Sequence, residues 1–161
     1  MKGILLATVF LALFSFGQEF NLKLDVKGFQ VGEIHIGCKA GATAAYDKRL
    51  DIYVPPAAMQ GGTIGLLLEN NSLPLYQDIR PPEFPQTWRI QCRAKSLSSI
   101  SWDKTLLPEG LAFTIRKEKG IASDMTKITT LRIKGNTDIT ITASKKTDGA
   151  TTAPEQKEEQ K

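Results

Sequence analysis

Few side chains in this 161-residue sequence have types and spacing that could do chemistry. The single histidine, His35, lies in an alternating run beside Glu33, on the polar side of that run. A nucleophile–histidine–carboxylate site needs its base held by a third group in a sheltered pocket, so His35 is expected as a solvent-facing strand residue instead. Zinc needs three or four nitrogen or sulfur ligands, and one histidine with two distant cysteines does not supply them. No phosphate-cradling glycine loop or dinucleotide fingerprint is present. Paired carboxylates for glycoside hydrolysis could converge from distant strands, but nothing singles out a pair. The expectation is a chain without catalytic residues or cofactor.

The segment "IGCKAGATAAYDKRLDIYVPPAA", residues 36–58, is too long for a hairpin turn and too short for a helical crossover. Asp47 and Asp51 within it, with Asp78 further on, could offer oxygen ligands to calcium, which takes six to eight. The alternating Asp/Asn run and closing glutamate of a dedicated calcium loop are missing, which leaves the three as weak metal candidates. Aspartates in such connections more commonly fix turns by accepting backbone amides, and that role is favoured. Tyr46, Tyr53 and Tyr76 are the material for stacking on a sugar ring. Cys38 and Cys92 each end an alternating run on its apolar side, so both should point inward. A bridge between them would close a loop of about fifty residues and contribute roughly 3–4 kcal/mol. Two buried free thiols acting as small hydrophobes are the alternative, and both stay open. Trp88 shares a strand with Cys92, a poor match to an immunoglobulin pin, whose tryptophan sits on a separate strand between the cysteines.

The elements that would position these residues repeat with period two. Phe20, Leu22, Leu24 and Val26 alternate with Glu19, Asn21, Lys23 and Asp25, giving a strand with one wet face. The same pattern recurs at Ile34–Cys38, Trp88–Cys92, Leu111–Ile115, Leu131–Ile133 and Ile139–Ile141. "TIGLLLEN" is apolar on both faces and reads as a more buried strand. Gly135–Asn136, between two alternating runs, predicts a hairpin turn. Pro55–Pro56 should end the "LDIYV" strand and blunt an edge, as "RPPEFP" does at 80–85. Ile100 and Trp102 share a face, and Asp103 opens a turn that Pro108 and Gly110 complete. Apart from the N-terminal segment, no stretch has helical spacing with caps. The fold class is therefore all-β, a two-sheet antiparallel β-sandwich of immunoglobulin or fibronectin type, with a barrel as alternative.

The chain opens MKGILLATVFLALFSFGQEF: a basic residue, an apolar run from Ile4 to Phe16, and the small residues Ser15 and Gly17 three and one before a cleavage point ahead of Gln18. That is the anatomy of a secretory signal peptide over 1–17. The run falls short of the roughly 20 apolar residues a spanning helix needs, so no membrane span is expected in the mature chain. One β-sandwich domain over 18–144 and a disordered polar tail over 145–161 follow. Residues 18–84 carry six basic and eight acidic side chains, whereas 85–134 carry ten and four. A basic face toward an anionic surface is one consequence, but interleaved strands are expected to dilute the asymmetry.

Three blocks follow one another: "GCKAGATAAYDKRLDIYVPPAA", "PLYQDIRPPEFPQTWRIQCRA" and "SSISWDKTLLPEGLAFTIRKE". Together they resemble a β-sandwich domain common in surface and secreted proteins of Bacteroidetes-like bacteria, many of them cargo or neighbours of the type nine secretion system. Gly41, Ala42, Thr43, Asp47 and Asp51, then Pro55–Pro56, a turn at Asp78, Ile79 and Arg80, Trp88, and Ser101–Asp103 with Leu107 and Pro108 carry the resemblance. It spans about residues 36–118. The cysteines are not part of that pattern. The resemblance implies an exported, non-catalytic module with no active site to carry over. Cargo of that route usually ends in a sorting domain with a "G-x-Y" strand, whereas this chain ends in a Thr-, Glu- and Lys-rich stretch. Secreted, periplasmic and cell-surface locations all stay open. The expected function is a structural or protein-interaction role in the cell envelope, with an envelope or surface protein as partner and no nucleic acid. A carbohydrate-binding sandwich is the alternative, and an envelope hydrolase using carboxylates is a third reading. Solvent-facing aromatic rings would favour the second, and two carboxylates converging in a cleft the third.

Overall fold

The computed structural model describes residues 17–54, 62–69 and 73–146. The expected signal peptide (all but Gly17), the Pro55–Pro56 pair and the tail from residue 147 onward lie outside the described residues.

The fold is all-β. The strands are β1 (Phe20–Lys27), β2 (Glu33–Cys38), β3 (Ile52–Tyr53), β4 (Thr63–Leu67), β5 (Leu75–Arg80) and β6 (Gln86–Arg93). They continue as β7 (Ser98–Ser101), β8 (Leu111–Lys117), β9 (Ser123–Asp124), β10 (Thr130–Ile133) and β11 (Asn136–Lys145). One 3-10 turn at Lys104–Leu106 is the only helical element described, and Asp103 caps it by accepting the Thr105 amide. Period-two patterning gives each long strand its inner face: Leu22, Leu24 and Val26 in β1, Trp88, Ile90 and Cys92 in β6, Leu111, Phe113 and Ile115 in β8 are all buried. "TIGLLLEN" is buried on both faces over Ile64–Leu66.

The strands form one hydrogen-bonded path, β10-β7-β1-β2-β5-β4-β6-β11-β8-β9, with β3 added on β5. The link between β4 and β5 is a single residue pair, Leu66 with Leu75. The path curls on itself: Phe20 of β1 meets Trp88 of β6 and Phe113 of β8 edge-on, at centroid distances of 6.0 and 5.4 Å. Strands far apart in the path therefore share one core, and the edge-to-face pairs add about 0.5–1.5 kcal/mol each beyond their burial. Both indoles satisfy their N–H internally, Trp88 on the Asp78 carbonyl (3.3 Å) and Trp102 on the Met125 carbonyl (2.9 Å).

Three expectations need correction. The sheet is not wholly antiparallel, because β2 and β5 run parallel with His35 opposite Gln77 and Cys38 opposite Arg80. The long 39–51 connection, β3 and β4 lie between them in the chain and supply the crossover that a parallel pair requires. Gly135 does take a positive φ of 67°, yet it makes no hairpin. β10 pairs with β7, while both edges of β11 are taken by β6 and β8, leaving no edge for β10. Asp78, Ile79 and Arg80, expected as a turn, finish β5.

Candidate binding cleft

The 39–51 connection is folded by its own aspartates. The Asp47 carbonyl accepts the Leu50 and Asp51 amides at 2.9 and 2.7 Å, winding the chain into a tight turn. The Asp51 carboxylate closes that turn by accepting the Asp47 amide (2.7 Å) and ties it to the sheet through the Ile79 amide of β5 (2.9 Å). Asp47 in turn takes the Arg49 amide (3.0 Å) and guanidinium, and those hydrogen bonds hold its carboxyl below its ordinary value. Asp78 is buried, which pushes its carboxyl up, opposed by Arg80, whose Nε and terminal nitrogen lie 3.0 and 2.9 Å from one carboxylate oxygen. The three weak calcium candidates thus spend their oxygens on amides and guanidinium groups. Among the described residues no three His, Cys, Asp or Glu side chains come together as ligands. Asp47 and Asp51 accept backbone amides, as in a turn-fixing role, whereas Asp78 sits in β5 and pairs with Arg80.

The wound connection delivers Tyr46 onto Tyr53 of β3, the rings stacked at 4.5 Å between centroids with a 24° interplanar angle. Burial, then the neighbouring Tyr53, Asp51 and Asp47, push the Tyr46 phenol up, which keeps it a neutral donor. The pair forms one wall of a cavity of about 740 Å³. Leu67 and Leu68 supply its apolar side, and Arg80, Arg89, Thr87 and Glu69 its polar side. Arg80 is fixed: besides Asp78 it donates to the Thr87 carbonyl, and its guanidinium lies 5.7 Å from the Trp88 ring centroid. Arg89 is looser, 58 % exposed and 3.7 Å from the Asp138 carboxylate. A cleft of this kind offers an aromatic face, an aliphatic floor and guanidinium donors with one carboxylate acceptor. That chemistry suits a ligand of mixed polarity.

Tyr76 does not join the other two tyrosines. It donates to Glu33 Oε1 at 2.6 Å, with its ring 5.4 Å from His35, and is not among the residues lining the cavity. His35 is more enclosed than its strand pattern suggests, with Nε2 3.2 Å from Glu33 and Nδ1 3.3 Å from Asn21. The reason is Tyr76, which packs beside it from β5, a strand whose pattern is not alternating. Hydrogen bonds from Tyr76 and His35 hold the Glu33 carboxyl below its ordinary value, while burial and Glu33 push Tyr76 up to about 12. No hydroxyl or thiol nucleophile contacts the imidazole among the described residues. Cys38 and Cys92 are both buried, as expected of inward-pointing positions, and stand as free thiols in this structure. Burial pushes each thiol up to about 12, far from the thiolate that nucleophilic or redox chemistry needs.

Sequence reasoning found Tyr46 and Tyr53 but missed Arg80, Arg89, Thr87 and the Leu67–Leu68 wall. Arg80 reads as part of a turn and Arg89 only as a polar position of a strand, and no local pattern says that β4, β5 and β6 converge there. A scan against protein-family models, a search of curated proteins and a search of solved structures each return no match.

Proposed function

We propose that this chain is an exported, non-catalytic β-sandwich module that acts by binding a protein partner in the cell envelope through the Tyr46–Tyr53 cleft. The observation that carries the reading is the stacked tyrosine pair facing Arg80 and Arg89 across a cavity of about 740 Å³. Tyrosine and arginine dominate the energetics of protein interfaces, and a central pocket with aliphatic floor is where such anchors cluster. The two-layer reading is supported by the one-pair link between β4 and β5 and by Phe20 reaching Trp88 and Phe113 across the core. Export rests on the N-terminal sequence and on the resemblance to exported sandwich domains. Among the described residues Glu69 is the one carboxylate lining the cleft, which argues against a two-carboxylate hydrolase there.

Carbohydrate binding is the second reading, favoured by the exposed Tyr46 ring beside Arg89 and Glu69. Pull-down from envelope extract and a glycan array, each run with the mature domain and with Tyr46→Ala and Arg89→Ala, separate the two. A protein captured saturably by the wild type and lost by both variants supports the first reading. Saturable glycan binding lost on the tyrosine substitution moves the assignment to the second. Binding that neither substitution changes removes the cleft from the function.

A further inference from the structure

The two most exposed large apolar side chains described are Ile121, 93 % exposed, and Leu97, 72 % exposed. They lie in different connections, β8–β9 and β6–β7, yet the register brings those connections to one end of the molecule. β11 starts opposite the end of β6, with Asn136 facing Arg93, and just beyond that pair the Ala94 amide donates to the Gly135 carbonyl. On the other edge of β11, Lys117 faces Ile139 and the Glu118 amide donates to the Asp138 carbonyl. The 94–97 and 118–122 connections therefore both leave the ladder where β11 begins. The end of β1 reaches the same place, since the Ser98 hydroxyl donates to the Gly28 carbonyl.

This end is also cationic. Lys95 sits beside Leu97, Lys117 and Lys119 flank the Ile121 turn, Lys134 precedes Gly135, and Lys27 precedes Gly28. None of the five makes an ion pair among the described residues. Glu118 is the one carboxylate in these connections without a cationic partner, because Asp138 is held by Arg93 and Arg89. The sequence reading expects interleaved strands to dilute the basic excess of residues 85–134, which holds ten basic side chains. Four of the five lysines come from that stretch and gather at one rim.

We propose that this rim is a peripheral docking surface for an anionic lipid layer, with Leu97 and Ile121 inserting among the acyl chains and the lysines meeting the headgroup phosphates. Charge complementarity alone would fit any polyanion. Two exposed aliphatic side chains, each with lysines within a few residues along the chain, fit a surface that is anionic outside and hydrocarbon beneath. A nucleic acid has no use for them. Lysine stems also lie well at such a boundary, the methylenes inward and the charge at the phosphate level. Among the described residues no helix is long and apolar enough to cross a membrane, and the contact proposed is with the interface. The proposal uses none of the residues that line the tyrosine cleft and stands or falls independently of it.

The test is co-sedimentation of the full mature chain with phosphatidylcholine vesicles, with and without phosphatidylglycerol, across a salt series. Binding is expected only with phosphatidylglycerol and should fall steeply as salt rises. Leu97→Asp and Ile121→Asp should each weaken it by about tenfold or more. Lys95→Glu and Lys119→Glu should each weaken it roughly fivefold or more and flatten the salt dependence. All four positions are exposed, and circular dichroism checks that the variants keep their fold. Equal binding to both vesicle types, or no binding at low salt, overturns the proposal. Wild-type affinity in both aspartate variants overturns it too, leaving a purely ionic contact, as does duplex DNA that binds with equal dependence on the lysines and displaces the vesicles.

Discussion

Replacing Asp51 with alanine tests the claim that this carboxylate, 3 % exposed, fastens the 39–51 connection to β5. It accepts two backbone amides, and hydrogen bonds to a charged group are worth about 1.5–3 kcal/mol each. The two losses do not simply add. The Asp47 amide lies on the solvent side and can be rehydrated, whereas the Ile79 amide is buried and would be left without its acceptor. Removing Asp51 also relieves repulsion on the buried Asp78. The net expectation for Asp51→Ala is a loss of about 2–4 kcal/mol. Asp51→Asn keeps one acceptor oxygen but turns an NH₂ toward the other amide, so about half that loss is expected. Urea unfolding followed by tryptophan fluorescence reads both, since Trp88 and Trp102 are buried. A loss below about 0.5 kcal/mol for the alanine variant would refute the fastening role. If calcium stabilised the wild type but not the variants, the carboxylate would be a ligand after all.

Three other outcomes follow from the geometry. Since hydrogen bonds from Tyr76 and His35 lower Glu33 from its ordinary 4.5, their stabilisation is full above that value and lost as pH falls through the lower folded-state one. Tyr76→Phe should move Glu33 back up in a carbon-detected NMR titration, and an unmoved curve contradicts the Tyr76 bond. Both cysteines should resist a thiol reagent in the native protein at pH 8 and react together in urea without reductant. Finding no thiol in the unfolded, unreduced chain would mean that the bridge forms. Trp102→Phe removes the indole volume and leaves the Met125 carbonyl without its donor, costing about 2–4 kcal/mol in urea unfolding. A loss under about 1 kcal/mol would mean that Trp102 is less tightly held than its 2.9 Å bond implies.

The strands with one wet face were legible because burial on one side writes an alternating pattern. β1, β2, β6, β8 and β11 contain the residues that alternation marked. β5 was not legible: in "LYQDIR" the buried positions are Leu75, Asp78 and Ile79, so a charged residue interrupts the period. That aspartate is tolerated inside because Arg80 forks onto it, a partnership visible only in three dimensions. Pairing was less legible than strand content. A Gly-Asn pair between two alternating runs permits a hairpin but does not require one, and competition for the edges of β11 decided against it. The same limit governed the cleft. Aromatic residues in polar connections could be picked out as tyrosines, but which of them meet depends on where the parallel β2–β5 pair throws the crossover.

That crossover links fold to function. A parallel pair cannot be closed by a short turn, so the chain must leave β2, travel, and pass through β3 and β4 before β5 can be laid down. A travelling segment that remained loose would present Tyr46 at large entropic cost, because ordering each residue on binding costs about 1–2 kcal/mol of backbone freedom. Asp47 and Asp51 remove that cost in advance by winding residues 47–51 and fastening them to the Ile79 amide. The aspartates that could have been metal ligands are thereby committed to shape, and the shape they set is an aromatic wall held in place before any ligand arrives. If that ordering is what makes the cleft bind, Asp51→Asn should weaken ligand affinity although Asp51 does not line the cavity, and should do so more than its modest loss of stability explains.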